Sequence, residues 1–157
     1  MISQKAKYAF KALFALARAE DDGGRQIQEI ALAEKIPRNF LEHILLDLKR
    51  HGLVASRRGK NGGYRLLKQP SAITVGQVLR IVDGPVAPLP CLSRTAYERC
   101  GDCVDEVSCQ VRRAFADVYR AQVEILDSRT LADALAAGDP DLDTDPTAEA
   151  PRRAVAG

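Results

Sequence analysis

The sequence predicts a mainly α-helical fold with a small β-hairpin wing. Three observations carry that expectation: a run of three amphipathic helical segments, two short strand segments around a basic glycine-rich tip, and a long helical segment with a heptad apolar seam. In that order they make a winged helix-turn-helix followed by a long dimerisation helix.

The first segment, from about Ser3 to Ala19, carries Ala6, Ala9, Phe10, Leu13, Phe14, Leu16 and Ala17 on a broad apolar face with lysines opposite, and ends near Asp21-Asp22-Gly23-Gly24. Ile27, Ile30, Ala31 and Ile36 predict a shorter second helix that Pro37 stops. Pro37 also suits the start of the third, which runs through Phe40, Leu41, Ile44, Leu45 and Leu48 to a Gly52 cap. Leu53-Val54-Ala55-Ser56 and Tyr64-Arg65-Leu66-Leu67 should then pair as a hairpin, because the seven residues between them, Arg57 to Gly63, are a turn rich in glycine and positive charge. Beyond Pro70, Thr74 caps a helix through Val75, Val78, Leu79, Ile81 and Val82 that ends at Asp83-Gly84. A long helix is expected from about Asp105. Val107, Val111, Ala114, Val118, Ala121 and Ile125 form its seam, with Phe115, Leu126 and Leu131 widening it, so two copies should pair along this face.

The expected organisation is a DNA-binding region over 1–70, a cysteine loop with the dimerisation helix over 71–137, and a disordered tail over 138–157, where Asp, Pro and small residues leave almost no apolar content. Lys5, Lys7 and Lys11 interrupt the first helix, and no stretch reaches the roughly 18 apolar residues of a membrane span. A cytoplasmic protein without membrane association is therefore expected. Net charge is +2, but unevenly spread: residues 1–70 hold fourteen Lys plus Arg against seven Asp plus Glu, and the remainder nine against fourteen. A basic first half suits phosphates.

Within the third helix, Arg38, Asn39, Glu42 and His43 fall in the first turns, where a helix in the major groove of double-stranded DNA offers side chains to base edges. Lys49 and Arg50 suit phosphate contacts. The wing adds Arg57, Arg58, Lys60, Asn61, Gly62 and Gly63, cations for phosphate or minor groove with glycines that allow close approach.

All four cysteines, Cys91, Cys100, Cys103 and Cys109, lie in one stretch between a proline-rich approach and the long helix. In a reducing compartment such a group points to metal binding or redox sensing more than to a disulfide framework. Three chemistries suit it: an iron-sulfur cluster, [2Fe-2S] or [4Fe-4S], with Arg94, Arg99 and Arg112 to offset its charge; a closed tetrahedral zinc site; or a metal-free switch in which one thiol oxidises and pairs with another. A Cys-x-x-Cys oxidoreductase is a poorer reading. The pair follows no strand of a βαβ unit, and an enzyme would leave the basic winged helix idle.

In order, Tyr8-Ala9 through Leu16-Ala17, Arg38-Asn39-Phe40-Leu41-Glu42-His43-Ile44-Leu45, Gly52-Leu53-Val54, Arg57-Arg58-Gly59-x-x-Gly62-Gly63-Tyr64, Thr74-Val75 and Val82-Asp83-Gly84-Pro85 resemble the Rrf2 family of bacterial winged-helix regulators, which includes the IscR, NsrR, RirA and CymR types. The resemblance spans nearly everything before the tail. It implies a homodimeric, sequence-specific transcription factor, often a repressor, whose DNA affinity is set in several members by an iron-sulfur cluster. The cysteines depart from the family pattern. IscR-like and NsrR-like members separate three cysteines by five and five residues, whereas here four are separated by eight, two and five. The histidine that IscR-like members carry three residues past the last cysteine is Arg112 here, and Lys5-Ala6-Lys7-Tyr8 stands where NsrR-like members offer a carboxylate. The resemblance then implies either that the extra cysteine supplies the fourth ligand or that the site is something other than a standard cluster.

Overall fold

The structure is a computed structural model that describes residues 2–19, 24–59 and 62–137. Helices α1 (Gln4–Ala17), α2 (Ile27–Glu34) and α3 (Arg38–Arg50) lead into strands β1 (Val54–Arg57) and β2 (Gly63–Leu66), followed by α4 (Val75–Val82), α5 (Gln110–Ser128) and α6 (Leu131–Ala136). Short 3-10 turns at Pro70–Ala72 and Pro90–Leu92 join these elements. This is the expected mainly α fold with a two-stranded wing.

Alanine spacing shapes α1. Ala6, Ala9, Ala12 and Ala15 are buried beside Leu13 and Leu16, so neighbouring helices approach its backbone closely. Ser3 caps the helix, its Oγ accepting from the Ala6 amide at 2.9 Å, while its own amide donates to Asp83 at the end of α4 at 3.0 Å. The chain leaves α2 two residues earlier than expected, because Lys35 turns left-handed at φ 54° before Pro37 is reached. That tight turn swings Ile36 inward and starts α3 directly, with Leu41, Ile44, Leu45 and Leu48 buried on one stripe. Phe40, expected on that stripe, is 59% exposed. It lies about 90° around the helix from the stripe's centre.

The hairpin pairs Val54 with Leu66 and Arg57 with Gly63, and a bridge from Arg25 to Tyr64, 2.8 Å in both directions, adds a short third piece of strand. Gly62 and Gly63 are needed for contact reasons: a Cβ at Gly62 would collide with the Arg57 carbonyl, and one at Gly63 with the backbone of Arg25. Ile73, Val78 and Leu131 sit in the same buried cluster as the α1–α3 side chains, and Thr74 bridges Thr130. The later elements thus wrap back onto the first three helices.

The long helix differs from expectation at both ends. Asp105 uses its carboxylate to accept from the amides of Val107 and Ser108, at 3.1 and 2.9 Å, which forms a turn in place of helix, and Cys109 becomes the cap of α5 with its Sγ accepting from the Arg112 amide at 3.4 Å. At the far end Thr130 and Asp133 form a capping box that starts α6, so Arg129 is extended. Leu131, expected to widen the seam, is fully buried in the core instead. The rest of the seam behaves differently: Val111, Phe115, Val118 and Ile125 are all exposed, and within α5 only Tyr119 and Val123, about a quarter-turn around the helix, are buried.

Candidate DNA interface and cysteine site

The exposed side of α3 carries Arg38, Asn39, Glu42 and His43, as the turn geometry requires once the apolar stripe faces inward. Arg38 Nε donates to Glu42 Oε1 at 3.0 Å, which holds both side chains across one helical turn. Lys49 Nζ donates to Ser56 Oγ at 2.7 Å and so ties the end of α3 to the wing. Arg50 lies 3.6 Å from Asp47. Arg57 and Arg58 are exposed on the wing, and with Gly62, Gly63, Gln26 and Gln28 they line a groove of about 640 Å³ between the start of α2 and the hairpin. Lys60 and Asn61 lie outside the described residues. Helix face and wing together expose the cations Arg38, Lys49, Arg50, Arg57 and Arg58. Two further exposed residues were not singled out from the sequence: Gln28, which lines the wing groove, and Leu46 on α3, three residues after His43 and seven after Asn39.

The four cysteines come from separate local structures. Cys91 is buried in the 3-10 turn at Pro90–Leu92, Cys100 and Cys103 sit on a turn closed by the Cys103 amide on the Cys100 carbonyl at 3.2 Å, and Cys109 caps α5. All four line one cavity of about 450 Å³, together with Leu89, Val104 and Val111. Every cysteine is a free thiol. Among the described residues no three side chains of metal-ligating type converge closely enough to hold an ion.

Partial desolvation at the cavity wall raises the Cys100 thiol above its ordinary range, and a hydrogen bond with the Cys91 thiol and the charge on Cys91 add to it. Cys103 is raised by desolvation and by the charge on Cys109, while Arg99 pulls the other way. Arg99 donates to the carbonyls of Cys103 and Val104 at 3.1 and 3.0 Å, bracing the turn. The Arg112 Nη2 lies 3.5 Å from the Cys91 carbonyl, and its buried Nε, 3.8 Å from Glu106, has no hydrogen-bond partner among the described residues. Arg94, expected to offset cluster charge, lines a different groove along α5 with Arg120 and Asp127.

The donor types suit an iron-sulfur cluster or zinc, four thiols lining one cavity with the Arg99 and Arg112 guanidiniums nearby as cations, although the thiols as placed are not gathered into a ligand set. Ligation would require the loop to draw the thiols together. The raised thiols must lose their protons to bind metal.

Among the described residues no helix is long and apolar enough to cross a membrane. Residues 2–137 match the model of the Rrf2 family, described as an iron-dependent transcriptional regulator. An rrf2-like HTH-type regulator of Rhodobacter capsulatus is 52% identical over 89% of this chain and 95% of its own length. The solved structure of CymR, the global cysteine regulator of Bacillus subtilis, superposes with a TM-score of 0.71 at 32% identity, covering 88% of this chain and 98% of that one. The structure of IscR from T. potens gives a TM-score of 0.67 at 29% identity over 87% and 86%. The match covers both the basic helix-and-wing surface and the cysteine loop with α5, so the chain is a DNA-binding transcriptional regulator and not an enzyme, and it belongs to the Rrf2 family.

Proposed function

We propose that the protein is a homodimeric repressor in the cytoplasm that binds a palindromic operator through α3 and the wing, and that an iron-sulfur cluster or the redox state of Cys91, Cys100, Cys103 and Cys109 sets its DNA affinity. The observation that carries this reading is the single cavity lined by all four cysteines, with Cys109 as the cap of α5 and Val111 shared between that cavity and the exposed seam. A change at the cysteines thereby acts on the start of the helix that pairs the two copies, and so on the spacing of two α3 helices across the half-sites. That is the differential contact a ligand needs if it is to shift an equilibrium.

Cys91, Cys100, Cys103 and Cys109 would hold the cluster. When bound it supplies an anionic centre that responds to iron supply, oxidants or nitric oxide. The protein's own part is to donate four thiolates, to brace the Cys103 turn with Arg99 and to hold Arg112 against the loop. The second reading, a metal-free thiol switch, is favoured by four free thiols that line one cavity, where one oxidised sulfur has others to pair with.

Anaerobic purification with a visible spectrum, iron, sulfide and zinc assays, and a salt-dependent operator titration tests the proposal. Matched iron and sulfide, with steep loss of affinity in salt and a change in affinity when the cluster is removed, is the expected result. Colourless, metal-free protein that responds to peroxide selects the thiol switch. Colourless protein whose DNA binding ignores both chelator and peroxide overturns both readings.

A further inference from the structure

Two apolar side chains of α3 are exposed: Phe40 on the flank of the helix, and Leu46 on the face turned away from the core. Leu46 is 42% exposed and, among the described residues, packs neither in the core nor against it. At 100° per residue it lies about 20° from Asn39 and about 60° from His43 around the helix axis, on the side opposite the buried stripe. Its charged neighbours are already engaged: Glu42 with Arg38 at 3.0 Å, Arg50 with Asp47 at 3.6 Å, and Lys49 with Ser56 at 2.7 Å. Asn39, His43 and Leu46 are left as the uncommitted outward line.

A major groove presents one apolar group at its base edges, the 5-methyl of thymine; every other distinguishing feature is a hydrogen-bond donor or acceptor. We propose that Leu46 is a specificity-determining residue whose side chain packs on a thymine methyl, fixing one thymine in each half-site on the bases read beyond Asn39 and His43. This rests on the reading that α3 enters the major groove. Contact with a leucine removes about one methyl group from water, which corresponds to roughly a fourfold gain in affinity at each half-site.

Operators selected from random duplexes with the full chain are re-synthesised with each thymine replaced in turn by uracil, which deletes only the methyl, and affinities are measured for wild type, Leu46→Ala and Leu46→Met. Wild type should lose roughly fourfold at one thymine per half-site. Leu46→Met, still apolar and of similar reach, should keep that sensitivity; Leu46→Ala should bind thymine and uracil alike at that position. The exposed position makes both variants fold, which circular dichroism checks. A selected operator that shows no methyl sensitivity with wild type, or a Leu46→Ala profile identical to wild type, overturns the assignment of Leu46 alone. Failure of wild type to enrich any sequence defeats the major-groove reading of α3, and the assignment with it.

Discussion

Helices α3 and α5 are both amphipathic, yet they dispose of their apolar faces in opposite ways. In α3 the stripe of Leu41, Ile44, Leu45 and Leu48 is buried against α1, α2 and β1 within the same chain. In α5 only Tyr119 and Val123 are buried, and the richer stripe through Val111, Phe115, Val118 and Ile125 faces solvent, with Val118 59% exposed. Besides Tyr119 and Val123, an ion pair ties α5 to the body: Arg80 on α4 donates two hydrogen bonds of 2.6 and 3.0 Å to Asp127, and a Cβ at Gly76 would collide with that carboxylate. The contrast separates two kinds of stability. The α3 region is complete in one chain, whereas α5 has a face whose burial requires a second body.

Paired substitutions at the two stripes give the largest expected effects. Leu45→Ala should destabilise the fold by about 2–5 kcal/mol in urea unfolding, the usual cost of a cavity at a fully buried leucine. Val118→Glu should leave helical content and the urea midpoint of the monomer fold almost unchanged while converting dimer to monomer in analytical ultracentrifugation, because a charge there is tolerated in water and not in an apolar seam. A Val118→Glu protein that sediments as wild type would erase the contrast between the helices.

The next effects fall on the loop that joins the two regions. Cys91→Ser, Cys103→Ser and Cys109→Ser should leave a folded, DNA-competent dimer whose operator affinity no longer responds to chelator, nitric oxide or peroxide. Cys100→Ser should match them where Cys100 is the fourth ligand and retain most of the response where it is not. Electrophoretic mobility shifts before and after each treatment read this directly, and four variants with wild-type responses would make the cysteines structural.

Within the α3 region, helix and wing should separate by specificity. Asn39→Ala should relax preference at one or two base pairs per half-site at roughly 1–3 kcal/mol, the worth of a good bidentate contact, whereas Arg58→Ala should weaken all sequences alike and flatten the salt dependence. Uniform weakening from Asn39→Ala, measured on a panel of single-base operator variants, would remove it from the base readers.

The same contrast explains what the sequence made legible. The α3 region was readable because its apolar residues recur at helical spacing and are satisfied by nearby chain; Ile30, Leu41, Ile44 and Leu48 all lie where periodicity put them. Misplacements arose where a side chain competed with the backbone pattern. Asp105 caps a turn and delays α5 to Gln110, Thr130 restarts the chain as α6 and sends Leu131 to the core, and Phe40 has the hydrophobicity of a core residue but the angular position of a flank. The cysteines were legible as a group from their crowding alone. Their convergence on one cavity was not, because it depends on where the 3-10 turn at Cys91 packs against the start of α5, a tertiary contact with no periodic signal.

The smallest expected effect tests how α3 is held in place. Lys5 Nζ on α1 lies 2.8 Å from Asp47 Oδ2 on α3, one residue past Leu46. The hydrogen bond from Lys5 holds the Asp47 carboxyl below its ordinary pKa, helped by the charges of Lys5, Arg50 and His51 and opposed by partial burial. A carboxylate with a depressed folded-state pKa contributes stability that is present above its unfolded value near 3.9 and is lost as pH falls through the folded value. Both side chains are partly exposed, at 41% and 28%, so screening limits the pair to about 0–1 kcal/mol. Lys5→Met should therefore lower unfolding stability by no more than about 1 kcal/mol at pH 7, with the gap to wild type closing as pH falls through the depressed folded-state value and Asp47 protonates in both proteins. A gap that persists unchanged in acid would mean that Lys5 holds α1 to α3 by something other than its pairing with the Asp47 carboxylate.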